Sequence, residues 1–333
     1  MESFAPLIWI EADRKPAKYF LNSLKIHEEL YPSRRKIVVT NSQFIKSYRN
    51  YEVEIFEIEK LEMSNQSKLF DSINKNWNEK RQQLTYWKNT TKRFFYLYDL
   101  LLKLNLQKCL HLESDCILLD SDYVDIQLRN SIPKLIYTKQ SLSIGCASIF
   151  LVNQRKSIKN FLDFINLNWN QIGITDMELL GKFKEIGQYA EFFPSWLDSK
   201  ETDYIFDSAT IGGYFLGYDA RNFRYPFAKR GLFYMAEESF NPKYFRITLN
   251  QSQKITLENL ISKSSPVLAN IHIHSKRIPK NYNGLKNRLI KESNVQRNGF
   301  WRLGVLDRLV ATERLISYLK RKVKIKSYEV RYR

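Results

Sequence analysis

Short apolar runs, each cut off by charge, alternate with amphipathic stretches through the first half of the chain. Leu7–Glu11, Lys36–Thr40 and residues 53–58 are β-rich, and helical spacing over 15–29 separates the first two. Strands alternating with helices predict a largely parallel α/β sheet. Residues 65–92 are polar and predict a loop with a short helix, long enough to cover a substrate. Residues 91–104 predict a helix capped by Thr90 or Thr91. Further strands are expected over 135–138, 147–152, Phe245–Leu249 and 267–274, and helices over 157–169, 176–184 and 207–216, the last with Asp207 as its cap. No repeat or low-complexity linker divides the chain, so residues 1–280 read as one domain and 281–333 as a basic helical extension.

Residues 108–120 read Lys-Cys-Leu-His-Leu-Glu-Ser-Asp-Cys-Ile-Leu-Leu-Asp. Leu110, Leu112, Ile117, Leu118 and Leu119 supply a core strand, and Glu113 and Asp115 fall where it leaves the core. On an extended chain alternate residues share a side, which puts the two carboxylates about 6–7 Å apart. One hard divalent cation spans that gap, directly or through water. Mg²⁺ or Mn²⁺ held this way keeps positions open for phosphate oxygens. The plainer alternative is a solvated strand-to-loop turn.

Composition narrows the classes. A chain of 333 residues with 44% hydrophobic content buries a sizeable core, and three cysteines, Cys109, Cys116 and Cys146, make no disulfide framework and imply a reducing compartment. The N-terminal stretch has no basic region before its apolar residues and reads as neither signal peptide nor anchor; no apolar run approaches the ~18 residues of a membrane span. The net charge of +18 is uneven, with 17 Lys and Arg against 4 Asp and Glu between Lys276 and Arg333. In that stretch Val305, Leu306, Leu309, Val310, Ile316, Leu319 and Val323 recur at near-helical spacing among basic residues. The stripe reads either as a helix on anionic lipid or as one packed on the domain, and packing is the preferred reading; the surplus charge still calls for an anionic partner.

A second chemical cluster is Asn-Ile-His-Ile-His-Ser-Lys over 270–276, which holds two of the four histidines, His272 and His274. The ordered series is Arg93 on a helix, His-Leu-Glu-Ser-Asp ending at Asp115, Gly-Cys-Ala-Ser-Ile-Phe-Leu-Val-Asn from Gly145, Phe-Asp-Ser-Ala-Thr-Ile-Gly from Phe206, then the His-rich segment. It resembles the GT-A class of nucleotide-sugar-dependent glycosyltransferases, over about residues 5–280. The resemblance implies a Rossmann-like α/β domain whose mixed, mostly parallel sheet is flanked by helices. It also implies an Asp-X-Asp-type motif holding Mn²⁺ or Mg²⁺ on the diphosphate of a sugar donor.

Carried over by position, Asp115 is the strongest metal ligand. Glu113 stands where the class usually has Asp, and contacts either the ion or the ribose. His274 is the late ligand, with His272 as alternative, and Lys276 touches phosphate. Arg93 contacts the diphosphate or base, or else forms a structural ion pair. Asp207 is the first choice for an acceptor-side catalytic base, against a plain capping role, with Asp176 and Glu178 as other bases. The expected activity is sugar transfer from a nucleoside diphosphate sugar to a saccharide or lipid-linked acceptor, in the cytoplasm or at the inner membrane face. The competing readings are a sugar-nucleotide hydrolase or carbohydrate binder on the same fold, and a nucleic-acid-binding protein, which no zinc-finger, RNP-type or Gly-X-X-Gly element supports.

Overall fold

The computed structural model of the chain describes residues 4–74, 82–141, 143–169, 175–187, 189–217, 240 and 244–298. The elements run β1 (Leu7–Glu11), α1 (Lys18–Leu30), β2 (Lys36–Thr40), β3 (Glu54–Glu57), α2 (Asn65–Ile73), α3 (Gln82–Lys103), β4 (Cys109–Leu112), β5 (Cys116–Leu118) and α4 (Asp122–Arg129). They continue β6 (Leu135–Ser141), β7 (Ile144–Val152), α5 (Arg155–Asn168), α6 (Asp176–Ile186), β8 (Ala190–Phe192), β9 (Tyr204–Ile205) and α7 (Thr210–Leu216). The last are β10 (Phe245–Leu249), β11 (Ile255–Asn259), β12 (Val267–Leu268), β13 (Asn270–His272) and α8 (Tyr282–Asn298).

The main sheet has the order β3-β2-β1-β4-β7-β6-β8. Every pair in it is parallel except those of β7, which runs antiparallel to both β4 and β6. The mostly parallel, helix-flanked α/β sheet expected from the sequence is the one observed. Its central strands read as unbroken apolar runs because both faces are covered. Leu7 and Trp9 of β1 face Phe20 and Leu24 of α1 with Val124 of α4, while Ile8 and Ile10 join the core that holds α3, α5 and α6.

A second core lies beside the first. The small sheet β10-β11-β12-β9 packs with α7 and α8 around Ile211, Ile247, Leu257 and Ile271. Leu285 and Leu289 of α8 are both 0% exposed in that core. Burying each contributes about 2 kcal/mol, so the first turns of the 281–333 segment are bound by packing. The expected helix over 305–323 lies outside the described residues. All three cysteines are buried free thiols, and among the described residues no helix is long and apolar enough to cross a membrane.

Several boundaries differ from expectation for identifiable reasons. Helix α3 begins at Gln82, so Thr90 and Thr91 lie inside it rather than at its cap. The Thr90 hydroxyl donates back to the Trp87 carbonyl at 2.9 Å, which lets a capping residue type sit within a helix. The single strand expected over 108–120 is two strands, β4 and β5, broken by a turn in which the Cys116 amide donates to the Glu113 carbonyl at 3.0 Å. Strand β13 stops at His272, leaving His274 beyond its end.

The strand order reverses between β1 and β4. The chain leaves β1 through α1 toward β2 and β3, then returns through α3 to β4 on the other side. Open α/β sheets bind ligands in the crevice outside the carboxyl ends of strands at such a switch point. Glu11 ends β1 there, and the Glu113–Asp115 turn follows β4.

Candidate metal centre

Two backbone ties fix the turn: the Glu113 amide donates to the Ser148 carbonyl of β7 at 2.9 Å, and the Ile273 amide to the Asp115 carbonyl at 2.8 Å. Strand β5 then pairs antiparallel with β13, with Cys116 opposite His272 and Leu118 opposite Asn270. That register sets the His272 ring against the acidic turn. Its Nε2 lies 3.2 Å from Asp115 Oδ2 and 3.6 Å from Glu113 Oε2. One ligand atom from each of Glu113, Asp115 and His272 lies within 4.8 Å of the others.

The other ring nitrogen fixes the orientation of the ring. His272 Nδ1 is 2.8 Å from the Ser208 carbonyl, which only accepts, so Nδ1 carries hydrogen and Nε2 faces the carboxylates. Burial opposes charge on this ring, but a hydrogen bond with Cys146 and the Glu113 carboxylate push its pKa up to about 10. Burial also disfavours the Glu113 anion, yet Arg93 and His272 hold its carboxyl well below the usual range. The turn is therefore anionic while its neighbours are cationic.

Three basic side chains surround it. Arg93, from α3, donates to Glu113 and also to Asp176 Oδ2 at 2.5 Å, so its guanidinium clamps the turn to the start of α6. Lys276 donates directly to Asp115 Oδ2, with its ammonium 5.4 Å from the Tyr19 ring centroid. Arg14 grips Glu11 through two hydrogen bonds of 3.1 and 2.8 Å and donates to Ser114 Oγ at 3.1 Å, joining the two sides of the crevice.

The other sequence candidates have different employment. Glu178 closes a capping box with Thr175 at the start of α6. Both oxygens of Asp207 are committed: Oδ1 accepts from the Ala209 and Ile211 amides at 3.0 and 2.9 Å, and Oδ2 from the Gly212 and His272 amides at 2.9 and 3.0 Å. Asp207 thus anchors the strand that carries His272, and at 1% exposure its geometry is that of a cap rather than of a base on an acceptor. Gly212 makes the same junction from the other direction, because a Cβ there would stand 2.0 Å from the His272 carbonyl oxygen. Of the two histidines, His272 lies in the cluster; the ring of His274 lies against it at 4.6 Å between centroids, tilted by 41°.

Two supports were not singled out from the sequence. The Glu11–Arg14 pair was readable only as a charge closing an apolar run. His27 of α1 donates from Nδ1 to the Ser23 carbonyl at 2.7 Å and accepts the Leu118 amide on Nε2 at 3.1 Å, while the Tyr31 hydroxyl reaches the Leu118 carbonyl at 3.4 Å. The free edge of β5 is thus completed by a helix in place of a third strand. Burial holds the His27 ring neutral, with its pKa pushed down to about 4.

No protein-family model and no curated protein matches the chain. Solved structures with a similar chain path include glycosyltransferases and a cytidylyltransferase. The glycosyltransferase GlyE of Streptococcus pneumoniae TIGR4 aligns at 12% identity and a TM-score of 0.38 over 63% of this chain and 47% of that one. The galactosyltransferase LgtC, solved with donor and acceptor sugar analogs, aligns at 14% identity and 0.35 over 60% and 75%. A cytidylyltransferase from Leptospira borgpetersenii aligns at 11% and 0.36 over 58% and 77%. The chain thus spans about half the length of GlyE. Likeness at this level describes a shared chain path in part and carries no argument about chemistry.

Proposed function

We propose that this chain is a metal-dependent glycosyltransferase of the GT-A type, moving a sugar from a nucleoside diphosphate donor to a saccharide or lipid-linked acceptor. The observation that carries the reading is the convergence of Glu113, Asp115 and His272 Nε2 within 4.8 Å, at the end of β4 beside the β1/β4 switch point. Two carboxylates and one imidazole form a donor set suited to Mn²⁺ or Mg²⁺, and three protein ligands leave positions for diphosphate oxygens.

In this reading Asp115, His272 and Glu113 would hold the ion, which would supply positive charge beside the diphosphate of the donor. Lys276 supplies a second positive charge to the phosphates. Arg93 keeps Glu113 ionised and oriented, and Arg14 closes the far side of the crevice. Asp207 serves as the anchor of His272. The surplus of Lys and Arg after Lys276 supports an acceptor at an anionic surface. Truncation after Asn298 is expected to weaken binding to anionic vesicles, and equal binding would remove that part of the reading.

The test is release of free nucleoside diphosphate from UDP-, GDP- and dTDP-sugars with Mn²⁺ or EDTA, for the native chain and Asp115→Ala. Release that needs metal and disappears in the variant supports the donor site. Release unchanged by the substitution would remove Asp115 from it. Product analysis with added acceptors separates transfer from hydrolysis.

A further inference from the structure

The contact between Lys276 and Asp115 has a meaning that depends on the proposed metal reading and goes beyond it. Asp115 Oδ2 is shared by two cationic partners, the Lys276 ammonium and His272 Nε2, the latter at 3.2 Å. Its side chain is 4% exposed, so little water screens the arrangement. A divalent ion held by Asp115 and His272 would lie within a few ångströms of the ammonium. A divalent ion and an ammonium that close together repel, and the more strongly because little water lies between them. Both cannot use the same carboxylate oxygen.

We propose that Lys276 is a built-in stand-in for the cation, so that free metal ion must displace it, and that a diphosphate arriving with the ion gives the displaced ammonium a new partner. The backbone suits an arm that swings from a fixed base. The Lys276 amide donates to the Ile273 carbonyl at 2.9 Å, and its φ of 57° places it in a left-handed turn just after the ribbon that carries His272. The side chain beyond that turn is a flexible four-carbon stem whose ammonium has three rotatable donors. The ammonium meets Asp115 and lies over the Tyr19 ring. The lysine therefore couples the two ligands: metal alone binds against it, and metal with diphosphate binds with its help.

The coupling is read by titrating Mn²⁺ against the full chain and following the free-ion magnetic resonance signal. Lys276→Met removes the arm without changing the backbone demand, Lys276→Arg keeps its charge, and Lys280→Met removes one charge four residues away. Without nucleotide, Lys276→Met is expected to bind Mn²⁺ about tenfold more tightly than the native chain, and the other two variants close to it. With UDP, GDP or dTDP present the order reverses, the native chain holding Mn²⁺ and nucleotide together while Lys276→Met loses affinity for the nucleotide. Equal or weaker Mn²⁺ binding by Lys276→Met alone would overturn the proposal and leave the metal centre standing. The same tightening in Lys280→Met would reduce it to general charge and overturn it as well. Absence of Mn²⁺ binding by every folded variant, with or without nucleotide, would overturn the metal reading and this inference with it.

Discussion

Asp115 and Asp207 are both buried aspartates within reach of His272, yet their surroundings differ in kind. Asp207 is held by four backbone amides, which stay in place as long as the chain is folded. The Asp115 carboxylate is held by the side chains of Lys276 and His272, and the first of these is a flexible arm, a quarter exposed, with room to turn away. The same carboxylate is a structural cap in one setting and an exchangeable ligand in the other. What distinguishes them is whether their partners can leave, a property that residue type does not encode.

The comparison predicts a graded set of effects on stability. Asp207→Ala leaves four buried donors unpaired and is expected to cost about 5 kcal/mol, a fall of roughly 7 °C in Tm. A loss under about 1 kcal/mol in calorimetry would erase the difference between the two aspartates. Gly212→Ala drives a Cβ against the His272 carbonyl and is expected to cost about 3 kcal/mol by urea unfolding, with weakened Mn²⁺ binding because the strand carrying His272 must move.

Acid tests the third support of the ribbon. The unfolded chain protonates His27 from its ordinary value of 6.5 downward, while the folded chain keeps it neutral to about 4. Its contribution is therefore complete above pH 6.5 and is lost progressively as pH falls from there through 4, with about 2 kcal/mol gone by pH 5. His111, also buried and pushed down, acts in the same direction. The share due to His27 is the difference in pH slope between the native chain and His27→Gln, and identical slopes would discard it. The smallest effect on stability belongs to Asp115→Ala, expected to cost about 1.5 kcal/mol because Lys276, a quarter exposed, can swing to water while Glu113 still faces His272. Mn²⁺-dependent nucleotide affinity should nevertheless fall about 100-fold. An Asp115→Ala chain as unstable as Asp207→Ala would sink the distinction.

Much of the sheet was legible because strands buried on both faces leave continuous apolar runs, as Leu7–Glu11 and Lys36–Thr40 do. Glu113 and Asp115 were legible because two carboxylates one residue apart stand out against the apolar run they close. The choice between His272 and His274 was not, since it rests on the pairing of β13 with β5 and on where that strand stops. A one-residue change of register would exchange the faces. Thr90 and Thr91 misled for a related reason: a hydroxyl that can cap a helix can also bond back within one. The Asp207 reading shows the limit most plainly, as its capping pattern was visible and only the geometry reveals that both oxygens are already engaged.

The pairing of β5 with β13 joins segments separated by about 154 residues, as the Cys116–Asn270 contact measures. During synthesis at roughly 5–20 residues per second, the acidic turn would emerge roughly 8–30 s before the strand that completes it. For that interval β5 has one edge covered by His27 and Tyr31 and the other bare. Helix α1, made earlier still, is thus placed to shelter the half-built ribbon, and the cluster of Glu113, Asp115 and His272 becomes a late product of folding that a fragment ending before β13 cannot assemble.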